Sequence, residues 1–241
     1  MGSAVAGAPV RDVVFEPARV LLLLDDGRAL AAPISWVGTT VAGWGEERRA
    51  GWVRTADGRG VNWPDAGQAS EDGALNVWVL EQDALFEHAL HELADCDWDV
   101  ALLAPRSRSL VALWRLTADG YNGGLLQFLG NWGTAEVHAA LGALAEIGAT
   151  STLLVLREFW GHLAPIAESD DVSTIDDVYA AISSADLSAR IDELDERFWE
   201  AAEELISLVP RTFGPAPSAI EEHEAPEAPE ADQAHEADSG A

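Results

Sequence analysis

The chain has 241 residues, 48% of them hydrophobic, which is enough apolar material for packed cores and excludes wholesale disorder. It carries 42 acidic residues against 14 basic ones, a formal net charge of −28, and every base is arginine. Such a charge repels nucleic acid and anionic membrane and attracts basic partners.

The acids are unevenly placed. Residues 1–75 have a net charge of −3, residues 76–214 of −17 and residues 215–241 of −8. Cys96 is the only cysteine, so no internal disulfide forms, which fits a reducing compartment. Met1 to Val10 lacks the charged and apolar regions of a signal peptide. Val20–Leu24 is too short to span a membrane. Met1-Gly2 lacks the Ser or Thr that a myristoylation start needs, since Ala6 stands there. These features point to the cytoplasm. The ten tryptophans are expected mostly in cores or at domain junctions.

Residues 10–75 read as a small antiparallel β-rich domain. Arg19–Leu24 and Arg28–Ala32 flank Asp25-Asp26-Gly27, a hairpin signal because Gly27 takes positive φ without a Cβ penalty. Pro33 closes the second strand. Val37 to Trp44 is a short helix or loop. Trp52-Val53-Arg54 starts another strand, Asp57-Gly58 turns it, and Gly60-Val61-Asn62-Trp63 returns before Pro64.

The Asp-Gly hairpin, Pro33-Ile34-Ser35-Trp36 and Gly60-Val61-Asn62-Trp63-Pro64-Asp65 together resemble a short bacterial domain family of unknown function. That family's acidic stretch is degraded at Gln68 to Leu75. The resemblance implies a fold, and an antitoxin-like or immunity role as an alternative function. Trp63-Pro64-Asp65 is either a binding edge or a cap on a small core.

From residue 76 to 214 the apolar period changes from two to about 3.6, predicting an all-α domain and an α+β chain overall. Leu85, Phe86, Ala89, Leu90 and Leu93 mark one helix. A second follows Pro105, with Leu110, Leu113, Trp114 and Thr117. A third spans Asn122 to Leu129. A fourth runs from Thr134 to a Gly148 stop. A fifth holds Leu153, Leu156, Phe159, Trp160 and Leu163 and ends at Pro165. A sixth opens on Ser173-Thr174-Ile175-Asp176, which resembles a capping box. The last carries Leu187, Ile191, Leu194, Phe198, Ala201, Leu205 and Leu208 on one stripe, with Pro210 as its end.

The strongest local signal is Asp119 to Asn131. Adjacent glycines at a helix start cost roughly 1 kcal/mol each relative to Ala, so they mark close packing or a special turn. Gln127 and Asn131 share a face and are candidates to bond a loop or a ligand. Asn122-Gly123-Gly124, Gln127-Phe128 and Asn131, followed by Ala143-Leu144-Ala145-Glu146-Ile147-Gly148-Ala149, resemble the helical domain of the bacterial acidic DNA-mimic protein family. The likeness covers residues 98–213 and departs at Leu125, where an aromatic is common, and at Leu129, often Phe. It implies a protein that binds DNA-binding proteins in place of DNA.

On the last helix Asp192, Glu193, Asp195, Glu196, Glu200, Glu203 and Glu204 face only Arg190 and Arg197. Asp192, Asp195 or Glu196, Glu200, and Glu203 or Glu204 form a ladder beside the apolar stripe. Unpaired like charges at helical spacing cost stability. Asp170, Asp171, Asp176, Asp177 and Asp186 extend the patch. The partner expected is a basic DNA-binding protein, a repressor or nucleoid protein, with homodimerisation left open and no direct contact to nucleic acid or membrane. Residues 215–241 are rich in Pro, Ala and Glu, and a disordered acidic tail is expected there.

No phosphate loop, nucleophile elbow or cysteine pair occurs. His91-Glu92-Leu93-Ala94-Asp95 misses the zincin pattern, since Asp95 replaces its second His. His88 and His91 lie one turn apart near Cys96, leaving a metal- or ligand-binding helical domain as a further alternative. Cys96 between Asp95 and Asp97 is a poor nucleophile. No enzyme activity, cofactor or metal is expected.

Overall fold

The Asp-Gly hairpin organises the N-terminal part of the computed structural model, which describes residues 5–68, 70–169, 174–182 and 185–215. Strand β2 (Arg19–Leu24) pairs antiparallel with β3 (Ala29–Pro33), and Gly27 turns between them at φ 92°. A strand that the apolar pattern does not announce, β1 (Val10–Phe15), pairs with the other edge of β2, with a register shift between Val10 and Asp12. Arg11 and Asp12 break its alternation, so only the pairing reveals it. Val20, Leu22 and Leu24 are buried from β2, and a second small sheet follows instead of one continuous one. It consists of β4 (Val53–Arg54), β5 (Gly60–Asn62) and β6 (Leu75–Asn76). Asn62 braces its loop: Oδ1 accepts from Ser70 N and Ala74 N at 3.3 and 3.0 Å, and Nδ2 donates to Ser70 O at 2.7 Å. Between the sheets lie two short helices, α1 (Gly38–Ala42) and α2 (Glu46–Arg49).

β6 runs directly into helix α3 (Val77–Asp95), capped by Asn76, whose Oδ1 accepts from Trp78 N at 2.8 Å. The helix starts well before the expected apolar stripe because Asn76 supplies that cap. Its buried face, Leu80, Leu85, Phe86, Ala89 and Leu93, meets β3 on one side and the later helices on the other. One apolar cluster therefore runs from Ala8 to Val209. Glu81 is fully buried in it, ion-paired with Arg28 at 2.7 Å and accepting from Gly7 N at 2.9 Å. Burial pushes the Glu81 carboxyl up from its ordinary range, against the pull of Gly7 and Arg28.

Helix α4 (Pro105–Ile147) has Pro105 in its first turn and is broken twice, at Gly123-Gly124 and at Gly133. Three helical segments result, at the three places the apolar period predicts. Gly148, at φ 73°, stops the last of them. Helix α5 (Thr150–Ala167) passes through Pro165 and ends two residues later than expected. Pro165 forfeits the bond that its N–H would make to the preceding turn and crowds that turn's carbonyl, while buried Leu163 and half-buried Ile166 pack the last turn onto the core. After α6 (Ile175–Ala181), with the Thr174–Asp177 capping box in place, come α7 (Ala185–Ala201), a 3-10 turn over Ala202–Glu204 and α8 (Leu205–Phe213). The expected single last helix is thus two, and Pro210 lies inside the second; Gly214 N closes it on Pro210 O at 2.9 Å. Phe128, Phe159 and Phe198 are fully buried where these helices converge. Each contributes roughly 1.5–3 kcal/mol, more than the roughly 1 kcal/mol that each helix-breaking glycine costs. The expected disordered tail lies outside the described residues, Pro215 excepted.

The arrangement is α+β: antiparallel strands first, then helices. Among the described residues no helix is long and apolar enough to cross a membrane.

Candidate functional site

The Asn122 to Asn131 motif builds a turn between helical segments. Gly124 adopts φ 84° and ψ 179°, a conformation essentially restricted to glycine. A Cβ there would lie 2.2 Å from Asp195 Oδ2. That contact is tight because the Asp195 carboxylate reaches in from α7 to accept from Leu125 N at 2.8 Å, capping the restarted helix. Gln127 and Asn131 do share a partner, and it is Asp119. Its Oδ1 accepts from Gln127 Nε2 at 2.8 Å and Asn131 Nδ2 at 3.0 Å, while Oδ2 accepts from Trp132 Nε1 at 2.6 Å. Phe128 is fully buried, and Asn122 and Gly123 are exposed. Arg115 stacks 3.8 Å from the Trp132 ring centroid and pairs with Glu136 at 3.0 Å. The amides therefore close an internal clasp around Asp119. Asp119 heads the strongest local signal in the sequence, but its role as the hub for the amides is not among the sequence expectations; its place immediately before Gly120 was the available signal.

The last helices divide the seven acids into two sets. Asp195 and Glu204 turn inward. Glu204 Oε1 accepts from Thr152 N at 2.8 Å and Thr152 Oγ1 at 2.9 Å, capping α5 as Asp195 caps the segment after Gly124. Both carboxylates sit at helix N-termini, where backbone N–H groups and the helix dipole favour negative charge. They leave the proposed partner-binding ladder as a correction. Asp192, Glu193, Glu196, Glu200 and Glu203 are exposed. Of these, Asp192, Glu196, Glu200 and Glu203 follow one another at helical spacings of four, four and three, a single row.

The two arginines of α7 do little to neutralise that row. Arg197 Nη1 donates to Glu158 Oε2 on α5 at 2.8 Å, and Arg190 binds the same carboxylate while reaching Glu193 at 2.5 Å. Arg197 and then Arg190 hold the Glu158 carboxyl below its ordinary range. Burial pushes Asp195 up, partly offset by the Leu125 N–H, with the Asp192 charge adding to the rise. Of the other acids, Asp176 is exposed and Asp177 is committed to the Thr174 cap. Asp170 and Asp171 and the Asp186 side chain lie outside the described residues.

The remaining candidates have separate partners. His88 Nε2 lies 3.5 Å from Glu92 and His91 Nδ1 lies 2.8 Å from the Glu87 carbonyl. Among the described residues no three His, Cys, Asp or Glu side chains group as a metal site. Trp63 is fully buried, with Nε1 donating to Arg49 O at 2.9 Å, so it caps the core and offers no binding edge. It is the fully buried one among the ten tryptophans: Trp44, Trp52, Trp78, Trp114 and Trp160 are half-buried, the first two and last two of these packed against the core, and Trp36, Trp98, Trp132 and Trp199 are exposed. A cavity of about 390 Å³ lies beside β1 and α2, lined by Val13 to Phe15, Glu46, Arg49 and Ala50. None of the predicted site residues lines it.

The structure thus defines an acidic helical module whose clasp is internal and whose free carboxylates lie on its last helices. Residues 101–212 match the family model described as DMP19-like protein. That part of the chain is similar to the family, and it contains both the Asp119 clasp and the carboxylate row. No curated protein and no solved structure matched the chain.

Proposed function

We propose that the protein is a non-enzymatic interaction module of the DNA-mimic type, which binds a basic DNA-binding protein in competition with DNA. The observation that carries this reading is the exposed row Asp192, Glu196, Glu200 and Glu203, left uncompensated because Arg190 and Arg197 are drawn to Glu158. From Asp192 to Glu203 the helix advances about 16 Å. One DNA strand carries about five phosphates over that distance at about 3.4 Å each. The four carboxylates of the row approach the charge density of a single strand. The duplex has about ten charges over the same length, so one row supplies one strand's worth. The match of residues 101–212 to the DMP19-like model supports the same reading.

A Glu196→Arg, Glu200→Arg double variant tests it. Both side chains are exposed, so the fold should persist, while capture of basic DNA-binding proteins from bacterial lysate should fall at least tenfold. Equal capture by wild type and variant would remove this row as the binding surface.

A further inference from the structure

Helix α3 ends in a Schellman stop. Asp97 N donates to Ala94 O at 3.1 Å and Trp98 N to Leu93 O at 2.9 Å, the paired bonds of that motif. Such stops usually place glycine in the left-handed position and pack the next residue back on the helix. The end of α4 does this: Gly148 has φ 73°, Ala149 N donates to Leu144 O at 2.9 Å, and Ala149 is fully buried.

At the end of α3 both features are reversed. The left-handed residue is Asp97, at φ 52°, and Trp98 follows at φ 64°. Two successive non-glycine residues in this region are uncommon. Trp98 then stands 65% exposed where its counterpart is buried, and Leu102 is 67% exposed in the same loop. The loop is held rather than loose. Asp99 Oδ1 accepts from Ala101 N at 2.9 Å, and Arg108 Nη2 donates to the carbonyls of Ala101 and Leu103 at 3.1 and 3.0 Å. Asp95, Asp97 and Asp99, close to Trp98 in the chain, are exposed, and Asp99 has a second carboxylate oxygen besides the one that accepts from Ala101 N.

We infer that Trp98 is a docking point for an arginine side chain on a basic segment of a partner protein. The guanidinium lies on the indole face and a flanking aspartate accepts its N–H groups. An isolated carboxylate row attracts any cation, but an aromatic face beside carboxylates selects the planar guanidinium over the compact ammonium. Arg106, the next base along the chain, is exposed but its own helix carries it, and Arg108 is tied to the loop carbonyls. The inference rests on the reading of the chain as a binder of basic proteins, and it adds a selectivity that the α7 row lacks.

The experiment titrates the full chain with two short peptides of equal length and charge, one bearing only arginine and one only lysine. Trp98→Ala should weaken the arginine peptide about fivefold and leave the lysine peptide unchanged, and Trp98→Phe should restore part of the loss. Thermal melts confirm that each variant is folded. If Trp98→Ala leaves arginine binding intact, or weakens both peptides alike, the assignment is overturned. A wild-type dimer that Trp98→Ala converts to monomer also overturns it, giving the indole to self-association. The Glu196→Arg, Glu200→Arg variant separates the two readings. Loss of both peptides there, with no effect of Trp98→Ala, sinks the Trp98 assignment alone. The reverse pattern sinks the α7 surface alone. Failure of both peptides to bind wild type overturns both.

Discussion

Asp195 shows how one residue's role depends on the side to which it turns. Its neighbour Glu196 is exposed, whereas Asp195 spends its carboxylate on Leu125 N, directly over Gly124. Gly124→Ala would place a Cβ against that carboxylate in a backbone conformation that costs about 1–3 kcal/mol for other residues. The expected result is a loss of at least that much in denaturant unfolding. Asp195→Ala leaves the Leu125 N–H without its partner and should cost about 1–3 kcal/mol, while Asp195→Asn keeps an acceptor and should cost less. Equal losses in the two variants would show that the cap contributes nothing. Asp119 was legible only as the residue before a glycine. That it gathers Gln127, Asn131 and Trp132 requires the chain to double back at Gly124, which spacing alone does not reveal.

At the scale of elements, the helical periods were read well and their ends less so. Pro105 marks a true start because its missing N–H falls where the helix has no bond to lose, and Gly148 a true end because it takes the left-handed conformation that stops the helix. Pro165 and Pro210 were read as ends but lie within α5 and α8; packing retains the final turns. Strand β1 was missed because Arg11 and Asp12 interrupt its pattern at the register shift. The acidic row was legible as a set of alternatives, and the structure selected Glu196 and Glu203 because Asp195 and Glu204 cap other helices. Glu158, on α5, ties α7 down through Arg197 and Arg190. Its folded-state carboxyl titrates below its unfolded value, so its contribution is full above the unfolded value and is lost as pH falls through the folded one. Glu81 has the opposite sign: raised by burial, it favours the fold below its unfolded value and loses that contribution as pH rises through the raised folded value. Glu158→Gln should therefore flatten the acid limb of a stability–pH curve, and an unchanged limb would place that limb's origin elsewhere.

Over the whole molecule, α3 joins what the sequence separates. The shift in period at residue 76 is real, but the same helix packs on β3 and on α8, and the apolar cluster is continuous. The full chain should unfold in a single thermal transition, and two separated transitions would contradict a shared core. The net charge of −28 acts against compaction through self-repulsion, so added salt should raise the melting temperature while weakening any basic partner. That opposition separates a stability effect from a binding effect in one salt series. The central claim, that the carboxylates stand in place of DNA, is tested most directly by capturing proteins from bacterial lysate on the immobilised chain and eluting with duplex DNA. The account predicts that a basic DNA-binding protein is captured and that duplex DNA releases it. A bound protein that saturating duplex DNA fails to displace would contradict it.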